Sequence, residues 1–286
     1  MERSAHKTVK GRFLISMVQQ VLPTWRHAGL VGNFASRELK SRFKGSVLGW
    51  AWSLINPLAT LAVYSIVFGF FLKFPPPVAG NGHLKNFSIY LFTALVMWNF
   101  FFAVVTGSMG SLIGAGPLLR KIYFPPWTPI AGSAIAALTQ TGIETALLIV
   151  VYIAVGNISW TVVFVPILLA LLAAFSLGLG YMLALFNAKL RDVNYIVQVG
   201  LNLLFYACPI IYPISKIQEV VHNHPWAKIY YWNPLTQFIE ANRDVLYDLR
   251  APSVGRMAYL TVVSVGVLIA GWLYFERGSR DVSEEL

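Results

Sequence analysis

The stretch WAWSLINPLATLAVYSIVFGFFLK, residues 50–73, carries no charged side chain before its last residue. A helix needs roughly 20 mostly apolar residues to cross a bilayer, so this stretch predicts a transmembrane helix. The composition of the whole chain agrees. Of its 286 residues, 57% are hydrophobic and only 12% are charged, whereas about a quarter are charged in a soluble domain. We therefore predict an all-α integral membrane protein.

Five further apolar windows follow along the chain. They cover residues 87–112, 129–155, 160–186, 193–212 and 257–275. The window 193–212 is the most polar, since it contains Asn194, Gln198 and Asn202. The sequence thus predicts six transmembrane helices. The predicted parts of the chain are a basic segment, a six-helix domain and a tail: residues 1–49, 50–275 and 276–286.

The formal net charge of +10 is unevenly distributed along the chain. Nine of the 22 Lys and Arg residues precede Trp50. With the N-terminus inside, the inside segments hold 15 of the 22 basic residues and the outside segments hold seven. The positive-inside rule therefore predicts that both termini are cytoplasmic. Basic residues at this surface can attract anionic lipid. No RNA- or DNA-reading signature is present, so nucleic acid is not an expected partner.

Two stretches outside the predicted spans have the periodicity of amphipathic helices. In the basic segment, apolar residues recur at helical spacing between residues 14 and 22 and again between residues 30 and 43, which predicts an N-terminal interfacial helix. The second stretch lies within residues 214–250, on the extracytoplasmic side. There Asn233 and Pro234 predict a helix start. The apolar stripe that follows predicts short amphipathic helices in the outer leaflet.

The sequence contains no nucleotide-binding loop. The dipeptide Gly-Lys is absent, and the phosphate-cradling GxxxxGKS/T loop requires it. No HExxH motif, Ser/His/Asp pattern or metal-ligand spacing is present either. We therefore expect a chain that is not catalytic by itself and binds no cofactor. Its energy source must then lie on another chain or in an ion gradient.

The stretch KSRFKGSVLGWAWSLINP, residues 40–57, resembles the opening motif of type-2 ABC exporter permeases that move polysaccharides. That motif is a basic amphipathic segment, then SxLGxxW, then a proline in the first span. Later motifs match the same family in order and spacing: LLRKIYFP at residues 118–125, RDV at 191–193, PIIY at 209–212 and NP at 233–234. The resemblance covers nearly the whole chain.

The resemblance implies an exporter subunit in the bacterial cytoplasmic membrane. In such a transporter a homodimer of six-helix subunits joins two copies of a separate ATPase, which binds ATP and Mg. The implied cargo is a polysaccharide on a polyprenyl pyrophosphate carrier: O-antigen, teichoic acid, capsule or cell-wall galactan. The absence of a nucleotide loop agrees with that division of labour. The implied partners are therefore a second copy of the chain, the ATPase, the lipid-linked cargo and membrane lipid.

The resemblance also implies roles for particular residues. Within the segment 113–127, the residues implied to couple the permease to the ATPase are Arg120, Lys121, Tyr123, Phe124 and Pro125. The aromatic residues implied to line the polymer path are Tyr64, Phe68, Phe71 and Tyr206. The basic residues expected to receive the carrier's head are Arg37, Lys40, Arg42 and Lys44. The residues expected at the outer gate are Asn233, Pro234 and Phe238.

Simpler explanations exist for some of these residues. Aromatic stripes commonly bury area in helix packing, and Arg120 and Lys121 also fit a topology signal. Gln140 and Glu144 lie one turn apart inside the third predicted span. An intramembrane carboxylate is energetically unfavourable and should face the bundle or water. A functional role and a hydrogen-bonded strut both explain it.

Two other classes of function compete with polysaccharide export. A type-2 ABC permease for drugs or lipids would share the architecture without needing a wide aromatic path. A membrane-embedded glycosyl- or prenyltransferase would need an acidic cluster such as DxxD at a membrane face. The predicted cytoplasmic loops contain no such cluster, which counts against the transferase.

Overall fold

The computed structural model describes residues 27–42, 44–73, 77–217 and 225–279, and this part of the chain contains helices, turns and loops but no strand. Its α-helices in chain order are α1 Ala28–Arg42, α2 Trp52–Tyr64, α3 Phe87–Leu119, α4 Trp127–Ala154, α5 Phe164–Lys189, α6 Val193–Ala207, α7 Pro234–Leu246 and α8 Val254–Gly278. The all-α prediction is confirmed. The helical pattern predicted between residues 14 and 22 lies outside the described residues.

Shorter helical segments of other types extend some of these helices. The 3₁₀ turns Gly49–Ala51 and Trp160–Val163 precede α2 and α5, and a third, Pro225–Trp232, precedes α7. A π-helical segment, Ser65–Phe71, continues α2 to the end of the first predicted span. The first span is therefore helical throughout, but its last two turns are wider than an α-helix.

Five helical segments of the described chain are long and apolar enough to cross a membrane: Gly49–Phe71, Phe87–Leu119, Trp127–Ala154, Trp160–Lys189 and Val254–Gly278. The remaining predicted span, residues 193–212, is shorter than expected. Its helix, α6, has only 15 residues and extends roughly 22 Å, less than the roughly 30 Å apolar core of a bilayer. It stops at Ala207 because Cys208 is extended, as the residue before a proline prefers to be.

Helix α3 is the central helix of the bundle. It has 33 residues and extends roughly 50 Å, and most of its side chains are buried by α4, α5 and α7. The Asn86 side chain caps its start by accepting hydrogen bonds from the N–H groups of Ser88 and Ile89, at 2.9 and 3.2 Å. A helix of this length exceeds the apolar core of a bilayer, so part of the α3–α4 hairpin projects beyond it.

Helices α5 and α8 run parallel and approach closely at glycines. Gly178 of α5 faces the backbone of α8 at Val267 and Leu268. Gly271 of α8 faces the backbone of Gly178, so a Cβ on either glycine would overlap the other helix. Further along both helices, Gly278 meets the side chain of Leu185. Small residues are the usual means by which membrane helices pack at such short range.

Helix α7 is buried within the bundle. Nine of its 13 residues are buried, and it packs against α3 and α5. As the Asn-Pro pair predicts, the Asn233 side chain caps the helix by accepting a hydrogen bond from the N–H of Leu235 at 3.0 Å, and Pro234 occupies the first turn. The apolar stripe predicted from the sequence therefore faces other helices rather than lipid.

Helices α2 and α6 lie at the edge of the bundle and are little buried. Only Ser53 and Pro57 are buried in α2, and only Leu201 in α6. Large apolar side chains are exposed on both helices and on the π-helical segment: Leu54, Leu58, Val63, Ile66, Phe70, Ile196, Val199 and Leu203.

Candidate functional site

The two ends of the bundle carry different groups of candidate residues. The basic end holds α1 and the hairpin tip, which we define as residues 120–126 between α3 and α4. The α7 end holds α7 together with the loops near residues 77–86 and 155–160, which hydrogen-bond to the last turn of α7.

The hairpin tip is a tight turn that presents an apolar point. The N–H groups of Lys121 and Ile122 both donate to the carbonyl of Leu118 at 3.0 Å, which closes the end of α3. On the other side, the Thr128 hydroxyl donates to the carbonyl of Pro125 at 2.8 Å and starts α4. Between these anchors Tyr123 is 99% exposed. Arg120, Lys121 and Ile122 are exposed beside it.

Phe124 has the opposite environment to its neighbour Tyr123. It is only 6% exposed, and its ring lies 5.5 Å from the ring of Phe34 in α1, measured between centroids. In the expected coupling segment, the Tyr123 ring is therefore exposed and the Phe124 ring is buried against α1. The sequence alone assigned both rings to the same surface.

Helix α1 is packed against the first turns of α4. Gly132 of α4 faces the side chain of Phe34 and the backbone at Ala35 so closely that a Cβ at residue 132 would overlap them. His27 meets Trp127 edge-on, with centroids 6.1 Å apart. The apolar face of α1 is therefore covered by the hairpin. Of the predicted basic set, Arg37, Lys40, Arg42 and Lys44 are all exposed, and Arg42 pairs with Glu38 at 3.7 Å.

The polar pair in α4 holds the start of α2. The Gln140 amide donates to the carbonyl of Ser53 at 3.2 Å and to the Glu144 carboxylate at 3.1 Å. The second oxygen of Glu144 and the hydroxyl of Ser53 are buried with no hydrogen-bond partner in the described chain. The geometry is that of a strut between α2 and α4. The start of α2 lies beside Gln140, which is more than three turns into α4. The first three turns of α4 therefore extend past the start of the first span, towards the hairpin tip.

The predicted aromatic stripe on the first span divides in two. The rings of Tyr64 and Phe68 are adjacent at 6.0 Å, and Phe68 packs on Phe87 of α3 at 5.0 Å. Phe71 is instead 71% exposed and neighbours Phe70. The segment Ser65–Phe71 is π-helical, and its wider turn shifts the angular spacing on which an α-helical stripe depends.

The fourth predicted path residue, Tyr206, lies near the end of α6 and is exposed. Its ring contacts Phe205 at 5.2 Å, and Phe205 meets Trp98 of α3 at 5.4 Å. Among the described residues no ring contact joins Tyr206 to the aromatic residues of the first span. Tyr206 and the aromatic residues of the first span could therefore line one path only from opposite sides of an open space, not through direct ring contacts within one chain.

At the α7 end, the predicted gate residues are tied to the end of α6. The Asn233 amide, besides capping α7, reaches the sulfur of Cys208 at 3.4 Å. Phe238, one turn further on, is fully buried and lies 6.2 Å from the ring of Phe175 in α5. Asn233 therefore sits at a junction between two elements, whereas Phe238 belongs to the core.

Arg243 is the most connected polar residue at this end. From the sequence it was one of the seven outside basic residues, on a polar face of the predicted amphipathic helix. It is 2% exposed and donates to the carbonyls of Pro209 and Ile210 at 2.5 and 2.7 Å. It also pairs with Glu240 at 2.9 Å and lies 3.7 Å above the Tyr90 ring. The non-helical backbone after α6 thus has its carbonyls satisfied by a buried guanidinium. The i, i+3 spacing of Glu240 and Arg243 on a largely apolar helix was the available signal.

Acidic groups of this end have raised pKa values. Burial raises the pKa of Asp248 to about 6, and the neighbouring Asp244 carboxylate adds to the shift. Burial also raises the pKa of Glu240, opposed by the Arg243 guanidinium beside it. Asp244 itself pairs with Arg256. Within the described ranges no three His, Cys, Asp or Glu side chains are grouped as metal ligands.

Apolar helices able to cross a bilayer, joined to a projecting hairpin with an exposed tip, define a multi-pass integral membrane protein. The particular family follows from the sequence: the chain belongs to the ABC-2 type transporter family, whose sequence profile matches residues 30–247. The recognition made from the motifs is therefore confirmed.

Curated relatives are similar over most of the chain. The chain is 28% identical over 271 residues to the O-antigen export system permease protein RfbA of Myxococcus xanthus, covering 94% of this chain and 100% of that protein. It is 28% identical over 217 residues to a Klebsiella pneumoniae protein of the same name, covering 74% and 78%. It is 23% identical over 240 residues to the polysialic acid transport protein KpsM of Escherichia coli, covering 82% and 88%.

Proposed function

We propose that this protein is the permease subunit of an ATP-driven exporter that moves polyprenyl-linked polysaccharide across the bacterial cytoplasmic membrane. The observation that carries the proposal is the match to an O-antigen export permease along that protein's whole length. A second polysaccharide transport protein is similar over 82% of the chain. Membership of the ABC-2 type transporter family supports the same class of machine.

The hairpin tip is the surface that we assign to a separate ATPase, which would bind the ATP and Mg. Exposed Tyr123 and Ile122 form its apolar point, and Arg120 and Lys121 surround them with charge. Tyrosine in a docking pocket is a common source of binding energy, whereas charges at a rim contribute little. Phe124 and Pro125 would contribute by supporting the tip rather than by touching the ATPase, because the ring of Phe124 packs against α1.

A second copy of the chain would cover the edge helices. Helices α2 and α6 expose rows of large apolar side chains and bury almost nothing within one chain. Closed two-fold dimers are the commonest homo-oligomers. In a homodimer carrying two ATPases, the polymer path would run between these helices past Tyr64, Phe68, Phe71 and Tyr206.

The ends of the path are assigned by charge and by topology. With both termini in the cytoplasm, as the excess of basic residues favours, Arg37, Lys40, Arg42 and Lys44 would receive the carrier's pyrophosphate head. The α7 end would then be the exit. Asn233 and Pro234 would act there as a hinge between α6 and α7. Phe238, which is buried in the core, would hold α7 in place beside this hinge.

The test is to co-express the chain with candidate ABC ATPases encoded in the same genome and measure the mass of the extracted complex and its ATPase activity. We expect two copies of this chain with two of an ATPase, and hydrolysis stimulated by the lipid-linked polysaccharide. A complex with one copy of the chain would overturn the dimer. Stimulation by phospholipid or drugs but not by the lipid-linked polysaccharide would instead assign a lipid or drug exporter.

A further inference from the structure

A cavity of about 200 Å³ lies where α1 crosses the α3–α4 hairpin. Helix α1 contributes Phe34 and two charged residues, Arg37 and Glu38. Helix α4 contributes Pro129 and Ser133, and a run of small residues on α3 forms the remaining wall. The cavity is on the basic end of the molecule and is separate from the exposed hairpin tip.

A hydroxyl without a partner points to a ligand in this cavity. Ser133 is 4% exposed, and its hydroxyl makes no hydrogen bond to any residue that the structure describes. Unlike the hydroxyl oxygen of Ser53, that of Ser133 is not fully enclosed by protein, so it is open to the cavity. Since Ser133 lines the cavity, a bound group with an acceptor oxygen would supply the missing partner.

The charge of the cavity favours an anion. Arg37 lines it and forms no ion pair or hydrogen bond within the described chain. The other charged wall residue, Glu38, pairs at 3.7 Å with Arg42, which lies outside the cavity lining. The Arg37 guanidinium is therefore the charged group of the wall that has no ion-pair partner within the described chain. A guanidinium presents donors in a planar fork that matches the oxygens of a phosphate group.

The glycines of α3 leave room for such a group. Gly107, Gly110 and Gly114 share one face of α3, at i, i+3 and i+7, and all line the cavity. Gly107 has a packing reason, because a Cβ there would overlap the Ser133 hydroxyl. Gly110 and Gly114 have none, since a Cβ on either would meet nothing within 4 Å. These two glycines therefore leave open space at the wall of the cavity.

We propose that this cavity binds a phosphate ester, with Arg37 as its charged partner and the Ser133 hydroxyl as donor. The ester could be the head of a membrane phospholipid or the pyrophosphate of a polyprenyl carrier. Only the second source rests on the proposed function. Occupancy of the site would join α1 to both helices of the hairpin, next to the tip assigned to the ATPase.

Binding is tested with the full chain purified in a maltoside detergent, which carries no phosphate, by calorimetric titration. The probes are dihexanoyl phosphatidylglycerol, farnesyl pyrophosphate and inorganic pyrophosphate. We expect saturable binding that weakens at least about tenfold in Arg37→Gln and is lost in Gly110→Val, which fills the cavity. The matched controls are Arg191→Gln, an exposed charge elsewhere, and Gly142→Val, an open glycine of α4.

Binding of the phospholipid alone assigns the site to membrane lipid, and binding of the pyrophosphates assigns it to the carrier's head. Both results uphold the proposal if they depend on Arg37 and Gly110. No saturable binding of any probe, or equal losses in the control variants, overturns it. If Gly110→Val does not fold, Gly110→Ala and Ser133→Ala provide the same comparison. Neither the ATPase nor export enters this measurement, so its failure is distinct from failure of the proposed function.

Discussion

The ring of Phe124, at the hairpin tip, packs against the ring of Phe34 in α1, with their centroids 5.5 Å apart. This contact joins one of the segments that carry the family resemblance to the amphipathic helix that precedes the first span. It also separates the roles of two adjacent aromatic residues, because Tyr123 projects into solvent while Phe124 is buried.

Phe124→Ala should destabilise the fold at the basic end. Removing a buried phenyl ring leaves a cavity and typically lowers the free energy of unfolding by roughly 3 kcal/mol. We expect a lower midpoint in thermal unfolding of the detergent-extracted protein and faster proteolysis within α1. Combining it with Phe34→Ala should add less than the sum of the two single effects. Strictly additive effects would mean that the two rings do not act together.

Tyr123→Ala should leave the fold unchanged and weaken binding of the ATPase. The side chain is almost fully exposed, so its loss removes no packing within the chain, but a docked tyrosine can contribute about 2 kcal/mol to an interface. We expect roughly thirtyfold weaker association at an unchanged unfolding temperature. Co-purification of the ATPase in wild-type amounts would show that the tip is not the docking point.

Arg243→Gln should be the most damaging single change at the α7 end. It would leave the buried Glu240 carboxylate and two backbone carbonyls without their partner, and breaking a buried ion pair typically lowers the free energy of unfolding by about 3–5 kcal/mol. The matched control is Arg250→Gln, an exposed arginine seven residues later, which should change it by less than about 1 kcal/mol. Similar unfolding temperatures for the two variants would contradict the assignment of Arg243.

Stability should depend on pH through Asp248. Its pKa in the folded chain is raised to about 6, above the roughly 3.9 of an unfolded aspartate. The folded state therefore binds more protons between about pH 4 and 6, so this group's contribution to stability falls as the pH rises through that window. Asp248→Asn should remove this dependence and stabilise the protein at pH 7 by about 1 kcal/mol, after allowance for solvent screening. Parallel pH profiles of unfolding temperature for variant and wild type would contradict it.

Gly271→Ala should disrupt the pairing of α5 with α8. The added Cβ would overlap the backbone at Gly178, and overpacking of this kind typically destabilises by about 1–3 kcal/mol. Gly266→Ala, in the same helix, is the matched control because its Cβ would meet nothing within 4 Å. It should be neutral or slightly stabilising, since alanine favours helix. Equal unfolding temperatures for both variants would mean that this close approach is absent.

Much of the helical architecture could be predicted from local sequence. Apolar windows of sufficient length predicted the spans, and five of the six are confirmed in length and composition. The start of α7 was predicted from Asn233 and Pro234 because a cap is formed by residues adjacent in the chain. The shortening of α6 was readable in principle from Pro209, but hydrophobicity alone extended the window to residue 212.

The candidate site was less predictable. The resemblance selected the coupling segment, but it could not decide which of Tyr123 and Phe124 faces outward. The stripe on the first span assumed α-helical spacing, and the π-helical turn separated Phe71 from Phe68. The sequence counted Arg243 only among the outside charges, since its hydrogen bonds to two carbonyls more than 30 residues away leave no signature in the local sequence.

The sequence by itself determined that the chain is helical, that it belongs in a membrane and about where most of its helices begin, because these properties depend on the polarity and backbone preferences of neighbouring residues. Only the tertiary structure decided which faces are covered, which glycines are contacts and which are open, and which charge is buried. Those properties depend on surfaces brought together from distant parts of the chain. Gly271 and Gly266 are both glycines of α8. Only the position of α5 places Gly271 against another backbone and leaves space around Gly266.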